Sequence, residues 1–400
     1  MEFRTGDIVL PLATDTWDED EIEAIVAVLK SGKHTMGARV NEYEELFAQY
    51  FGSKYAVMTN SGSSANLIAA AAHRYLTDPY LKGPREIIVP AIGWSTTYFP
   101  FTQLGYKLVF VDVDPLTFNI DPIKLADALC AETAGVCVVN VLGNPCDFSQ
   151  IKNLLSNYPE VVLFEDNCES LGATYDGKYA GSIGDYGSFS SYFSHHISTI
   201  EGGITLTEDY GRAQVMKSMR AHGWVRNLEL PANLGIPPSD PWSDQFRFVL
   251  PGYNLRPIEM EAAAGIVQLK KVGSILEGRK LNGEFFAKIL EEVPEIKLQS
   301  MSKGSSWFGF GIVLHGAMEA HRKEVITKLT EAKVESRPVI TGNFLLNPVI
   351  KYLEHRVCGT LEGVNQIHQS GFMIGNHHND VRESLEKITE ILLSIRNSYV

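Results

Sequence analysis

The chain of 400 residues is poor in cysteine and in positive charge, and it has no long apolar run. Its five cysteines are Cys130, Cys137, Cys146, Cys168 and Cys358, an odd number with no pair spaced Cys-x-x-Cys. That excludes a paired-cysteine zinc frame and the clustered ligands of an iron–sulfur centre, and no metal is expected. It argues for a reducing, intracellular compartment with the thiols mostly buried. Lysine and arginine number 35 against 48 acidic residues, a formal net charge of −13. Such a chain lacks the basic stripes that bind nucleic acid or an anionic membrane, so neither partner is expected. A small anion remains possible, because backbone donors bind phosphate locally. No stretch approaches the ~18 apolar residues that a membrane span needs. The first seven residues lack the basic-then-apolar start of a secretory signal, and a cytoplasmic protein is expected. Low-complexity tracts and internal repeats are also missing.

What is present is an ordinary globular composition, 44% hydrophobic and 21% charged, long enough for two domains. Ile22, Ile25, Val26 and Leu29 recur at helical spacing after Asp18-Glu19-Asp20, and Gly32 stops that helix. A second helix runs from about Val40 to Tyr50, with Tyr43, Leu46 and Phe47 on one face. Strands are predicted at Lys54–Met58, Glu86–Val89, Leu108–Val113, Gly135–Val141 and Val161–Phe164. Helices at Ala65–Tyr75, Pro122–Leu129 and Phe148–Asn157 alternate with them. That rhythm means an α/β fold with a mixed, mostly parallel sheet buried on both faces. The proline-rich stretch from about Leu228 to Asp244 reads as a surface excursion, and a helix follows from Ile258 to roughly Leu281. The pattern then becomes a smaller α+β segment ending in a helix through Leu385, Ile388, Leu392 and Ile395. The expected division is a large domain over 1–275 and a small C-terminal domain over 276–400.

Four features could carry chemistry. Ser61-Gly62-Ser63-Ser64-Ala65-Asn66 lies between a strand and a helix, where free N–H groups and the helix dipole make a phosphate cradle or an ordinary N-cap. Trp94 follows a strand and could stack on a planar cofactor or pack in the core. Glu165-Asp166-Asn167-Cys168-Glu169 ends a buried strand, at the edge where α/β sheets bind ligands, although a helix cap or surface carboxylate reads the same way. The fourth runs from Ser188 through Ser190, His195 and His196 to Glu201-Gly202-Gly203. The glycines at 181, 184 and 187 have the wrong spacing for a dinucleotide loop and read as turns.

This last segment resembles the coenzyme anchor of the DegT/DnrJ/EryC1/StrS aminotransferase family. There a phenylalanine–serine pair is followed five residues after the serine by lysine, then by glutamate and two glycines. Counted from Ser190 and from Gly202-Gly203, the lysine's place falls on His195. The resemblance extends over nearly the whole chain, through Met36-Gly37, Asp112, Gly143-Asn144-Pro145, Gly252 to Pro257 and Arg337-Pro338. It implies the aspartate-aminotransferase-like fold of fold type I enzymes and the cofactor pyridoxal 5'-phosphate, alternating with pyridoxamine 5'-phosphate. Carried over, it places the phosphate on Gly62, Ser63, Ser64 and the Ser190 hydroxyl, Trp94 on the ring, Asp166 on the pyridine nitrogen, and Glu169 in the same site. Asn254 is expected to reach the coenzyme phosphate of a second subunit, making a homodimer with a shared site. His222, Arg226, Arg256 and Arg337 are candidates for substrate carboxylate or phosphate, since arginine binds such anions bidentately.

Histidine in place of lysine changes the expected reaction. A lysine amine can tether the coenzyme aldehyde and shuttle protons, whereas imidazole can only move protons. His195 is therefore expected as the catalytic acid and base of a 3-dehydratase. The expected substrate is a nucleotide-linked 4-keto-6-deoxyhexose, with GDP and the manno configuration implied by resemblance alone. L-Glutamate is the expected amino donor, with release of 2-oxoglutarate and ammonia. Dehydratases of the family that use an iron–sulfur centre need cysteines in the later half of the chain, where only Cys358 follows Cys168. His196 is expected only to pack or hydrogen-bond. A sugar aminotransferase and a non-catalytic binding or regulatory relative remain the alternatives.

Overall fold

The computed structural model describes residues 10–35, 37–78, 80, 82–228, 236–237 and 239–399. Met36 and much of the proline-rich excursion, 229–235 and 238, lie outside the described residues. Helices α1 (Glu19–Ser31) and α2 (Ala38–Tyr50) precede the sheet. Then come β1 (Tyr55–Thr59), α3 (Gly62–Thr77), β2 (Glu86–Pro90), α4 (Ser95–Gln103), β3 (Lys107–Val111) and α5 (Pro122–Ala128). They are followed by β4 (Thr133–Val139), α6 (Phe148–Leu155) and β5 (Val162–Asp166). A short hairpin, β6 (Thr174–Tyr175) and β7 (Lys178–Tyr179), leads to β8 (Tyr186–Ser190), β9 (Gly203–Thr207), α7 (Tyr210–Met219) and α8 (Glu259–Leu290). The remainder holds β10 (Ile296–Leu298), β11 (Gly309–Leu314), α9 (Arg322–Glu331), β12 (Ser336–Arg337), β13 (His355–Val357), α10 (Glu362–Ser370), β14 (Gly371–Gly375) and α11 (Arg382–Arg396).

The large sheet has eight strands in the order β1-β9-β8-β5-β4-β2-β3-β13. Strand β9 pairs antiparallel with both β1 and β8, and every other pairing is parallel. The apolar runs of β2 and β5 are buried at every residue, as a parallel sheet covered by helices on both faces requires. Strand β4 stops at Val139, and Val141–Gly143 forms a 3-10 turn where a longer strand was expected. A second sheet, β10-β11-β14-β12, is antiparallel and packs with α9 and α11 around Phe310, Ile312, Phe372, Leu385 and Leu392.

Helix α8 runs unbroken past the residue-275 division to Leu290, longer than its sequence pattern suggests. Its first half lies against α1 and α2 and its second against α11 and β10. Strand β13, from the C-terminal part, returns to the large sheet beside β3, and Leu10 bridges to Val334.

Helix α1 departs from its sequence pattern. Asp18 caps it, and Gly32, in the left-handed region at φ 70°, ends it. The stripe at Ile22, Val26 and Leu29, expected to face the core, is exposed, and Leu46 of α2 is exposed beside buried Tyr43 and Phe47. The rotation of α1 is set by Glu21, which is fully buried against α8. Glu21 accepts Lys271 Nζ at 2.7 and 2.8 Å and Gln268 Nε2 at 2.7 Å. A satisfied buried carboxylate outweighs a weak apolar stripe, because its desolvation is affordable only where those partners stand.

A second buried ion pair fastens β1 ahead of the cradle. Arg220 donates to Glu44 and to the Met58 carbonyl at 2.6 Å, while Glu44 accepts the Met58 N–H at 2.9 Å. Glu44→Ala leaves this arginine buried without its carboxylate, and a loss of about 3–5 kcal/mol is expected. Urea unfolding should show it as a lower midpoint at unchanged slope.

Candidate active site

The carboxyl ends of β2, β5 and β8 meet the amino ends of α3 and α4. Ser61 caps α3, its Oγ accepting the Ser64 N–H at 3.1 Å. The first-turn N–H groups of a helix have no intrahelical partner and carry the positive end of its dipole. The Ser63 hydroxyl lies 2.7 Å from that of Thr96, whereas Ser64 turns its hydroxyl to Asn60 at 2.7 Å. Ser64 therefore offers the cradle its backbone only. Gly62 must be glycine, since a Cβ there would sit 2.5 Å from Ser190 Cβ and 2.9 Å from Cys168 Sγ. That close approach brings the helix start against Ser190, whose Oγ accepts the Tyr192 N–H at 3.3 Å.

Adjacent side chains on β5 point to opposite faces. Asp166 faces the cradle, where its Oδ2 accepts Asn66 Nδ2 at 2.9 Å and Thr97 Oγ1 at 2.7 Å, and its Oδ1 accepts the Cys168 N–H at 3.1 Å. Ser188 in turn bonds the Asn66 amide oxygen. Glu165 faces away and accepts the N–H groups of Gly181 (2.7 Å), Ile183 (2.8 Å) and Gly184. Burial pushes its carboxyl up to about 7 against those donors. The glycine run is thus a turn built around a buried carboxylate.

Trp94 is not a core residue: it is 58% exposed, at the start of α4. His195 is half-buried in the loop after β8. Burial, then the charges of Arg337 and Arg279, push its imidazole down to about 3, so the ring is neutral near pH 7. Its Nδ1 is buried without a hydrogen-bond partner, and Nε2 is left as the accessible nitrogen. His196 is fully buried and bonded through Nε2 to the Ser306 carbonyl at 3.0 Å, as a packing residue would be. Glu169 accepts the Leu142 N–H at 3.2 Å; burial raises its carboxyl and the Arg337 charge lowers it. Arg337 is exposed on β12. No group of three or more His, Cys, Asp or Glu that could hold a metal ion occurs among the described residues.

His222, Arg226, Asn254 and Arg256 form a separate group. His222 packs edge-on to Trp224 at 4.7 Å, Arg226 lies 3.5 Å over the same indole, and Arg256 Nε donates to Asn254 Oδ1 at 3.0 Å. Asn254 is exposed, and a backbone bond from Asn60 to Leu255 (3.2 Å) ties its segment to the cradle. No hydrogen bond or ring contact among the described residues joins these four side chains to Asp166 or His195. Sequence reading gave no role to Asn66, the last residue of the motif it singled out, and missed Thr97, three residues past Trp94, and Arg279, which has no local signal at all.

A model of the DegT/DnrJ/EryC1/StrS aminotransferase family matches residues 15–393. The GDP-4-keto-6-deoxy-D-mannose 3-dehydratase of Yersinia pseudotuberculosis is 45% identical over 96% of this chain and 98% of its own. A solved structure of the E. coli enzyme of that name, with bound hydrated PLP, superposes with a TM-score of 0.93 at 42% identity, covering 96% of this chain and all of that one. A GDP-4-keto-6-deoxymannose-3-dehydratase structure with a trapped PLP-glutamate geminal diamine has a TM-score of 0.92 at 42% identity, with the same coverage. The match over residues 15–393 and these identities make the chain a member of the DegT/DnrJ/EryC1/StrS aminotransferase family.

Proposed function

We propose that this chain is a pyridoxal-phosphate-dependent 3-dehydratase acting on GDP-4-keto-6-deoxy-D-mannose, with L-glutamate as amino donor. The observation that carries the reading is His195, a neutral imidazole where the family has its lysine, in a site that otherwise fits the coenzyme. No lysine lies between Lys178 and Lys217. The fit is geometric: an anion cradle that a Cβ would fill, an ordered carboxylate, and an exposed indole.

When bound, pyridoxal phosphate supplies an aldehyde that takes up glutamate's amino group, releasing 2-oxoglutarate, and a ring that draws off electrons. The chain's residues do the rest. The start of α3, with Gly62, Ser63, Ser64 and the Ser190 hydroxyl, holds the phosphate. Trp94 would stack on the ring, and Asp166, its carboxylate fixed by Asn66 and Thr97, would keep the ring nitrogen protonated. Glu169 lines the same site. His195 accepts a proton at Nε2 and returns one to the departing C3 hydroxyl. The products are the 4-keto-3,6-dideoxy sugar and ammonia.

His222, Arg226, Arg256 and Arg337 serve the anionic groups of sugar nucleotide and glutamate. The chain acts as a cytoplasmic homodimer in which Asn254 reaches the partner's coenzyme phosphate. Two features support that assembly: the exposed Asn254 group and the exposed apolar stripe of α1. Among the described residues no helix is long and apolar enough to cross a membrane. The large domain over 1–275 carries the coenzyme site, and the small C-terminal domain spans 276–400.

Incubation with L-glutamate and GDP-4-keto-6-deoxy-D-mannose should yield a sugar nucleotide lighter by the C3 oxygen; an amino sugar that keeps that oxygen would refute the assignment. His195→Lys should fasten the coenzyme covalently, seen as a visible band that survives denaturation after borohydride, and should abolish deoxygenation. His195→Asn should keep the coenzyme but lower turnover by about 10²–10⁴, the usual worth of a general acid–base group. Mixing inactive His195→Asn and Asn254→Ala chains should restore roughly a quarter of wild-type activity, because each random mixed dimer holds one intact site. No recovery would mean the sites are not shared.

A further inference from the structure

Catalytic imidazoles are commonly oriented by a carboxylate or carbonyl on the second ring nitrogen. His195 has no carboxylate there: its Nδ1 is buried without a well-formed hydrogen bond, and only the Tyr192 carbonyl favours its protonated form. Its ring is instead held between aromatic neighbours, Tyr192 at 6.0 Å and 80°, and Phe308 at 5.4 Å and 55°. Phe308 also carries His196 on its ring at 5.3 Å. The Phe308 backbone is pinned at both ends, its N–H to Leu142 O at 3.0 Å and its carbonyl to Arg279 Nη1 at 2.9 Å.

Arg279, on α8, is itself unusual. It is buried, and its other bond from Nη1 goes to the Asn376 carbonyl at 2.8 Å. Asn376 Nδ2 closes the ring by donating to the carbonyls of Arg279 (2.9 Å) and Trp307 (2.8 Å). Arg279 Nε has no partner, and among the described residues no carboxylate pairs with this guanidinium. Burying a cation without a counterion costs several kcal/mol, a penalty that packing alone would not retain. The groups facing His195 are Arg337 from β12, Arg279 from α8, and His196 and Tyr192 from its own loop. After burial, Arg337 is the larger influence on the imidazole and Arg279 the smaller. Arg337 is exposed, so solvent screens it and any bound anion cancels it; Arg279 is sealed in a low dielectric and its field persists.

We propose that Arg279 is a positioning residue for His195: it clamps the Phe308 wall against the imidazole and, as an unneutralised buried cation, holds that ring in its proton-accepting form. This rests on reading His195 as the base, but its test does not require turnover. In the full-length protein carrying 13C-labelled histidine, the His195 resonance is identified by its loss in His195→Asn and followed against pH. The parent should stay neutral far below the ordinary histidine value of about 6.5. Arg279→Met should raise the midpoint by about one unit, a tenfold change in protonation equilibrium. Arg279→Lys, which keeps the charge, should hold the low midpoint. Equal midpoints in folded Arg279→Met and the parent would overturn the proposal. Should Arg279→Met fail to fold, Phe308→Leu decides. It removes the wall, and acylation of His195 by diethyl pyrocarbonate should quicken several-fold; an unchanged rate overturns the proposal. Deoxygenation at the parent rate in His195→Asn would sink the functional reading while leaving both measurements interpretable.

Discussion

The site is organised around one buried carboxylate. Asp166 ends β5 and takes donors from three directions: Asn66 on α3, Thr97 on α4, and the turn at Cys168. Through Asn66 it also engages Ser188 on β8. Two helices and two strands are thereby brought to one point. Each of these donors would lose its acceptor if the carboxylate moved, so the starts of α3 and α4 and the end of β5 hold one geometry. Glu165, the next residue back, does the opposite job on the opposite face, closing the turn at 181–184. The alternation of a β-strand turns neighbouring carboxylates to opposite faces, one toward the cradle and one into the turn.

Against that fixed frame, the exchange of lysine for histidine has a limited and definite effect. It removes an amine able to tether an aldehyde and leaves a group able to move protons. The surroundings suit the second task. A ring enclosed by Tyr192, Phe308 and two arginine charges, with no carboxylate to favour imidazolium, is neutral at physiological pH. Solved relatives with bound coenzyme share the fold almost throughout.

The remaining polar residues divide by position. Glu169 and Arg337 influence each other electrostatically beside His195, whereas His222, Arg226, Asn254 and Arg256 sit in an outlying group. An exposed asparagine bracing an arginine does little for the stability of one chain. Its arrangement makes sense where a second chain lies alongside, as does an apolar stripe on α1 turned toward solvent.

Much of this was legible in the sequence. Strand–helix alternation, the caps at Asp18 and Ser61, the end of β5 and the register that puts His195 at the lysine position are all local patterns. They are written in periods of two or 3.6 residues and in short spacings, which is why they survive without coordinates. Only the tertiary structure decided the rest. Glu21 overrode the apolar stripe of α1 because its partners, Gln268 and Lys271, come from a helix far along the chain. Ser64 turned its hydroxyl away from the cradle because Asn60 was there to accept it. Arg279, unmarked in the sequence, became a neighbour of His195 through carbonyls at Phe308 and Asn376. Burial and partnership of charged groups depend on residues distant in sequence, and no local period encodes them.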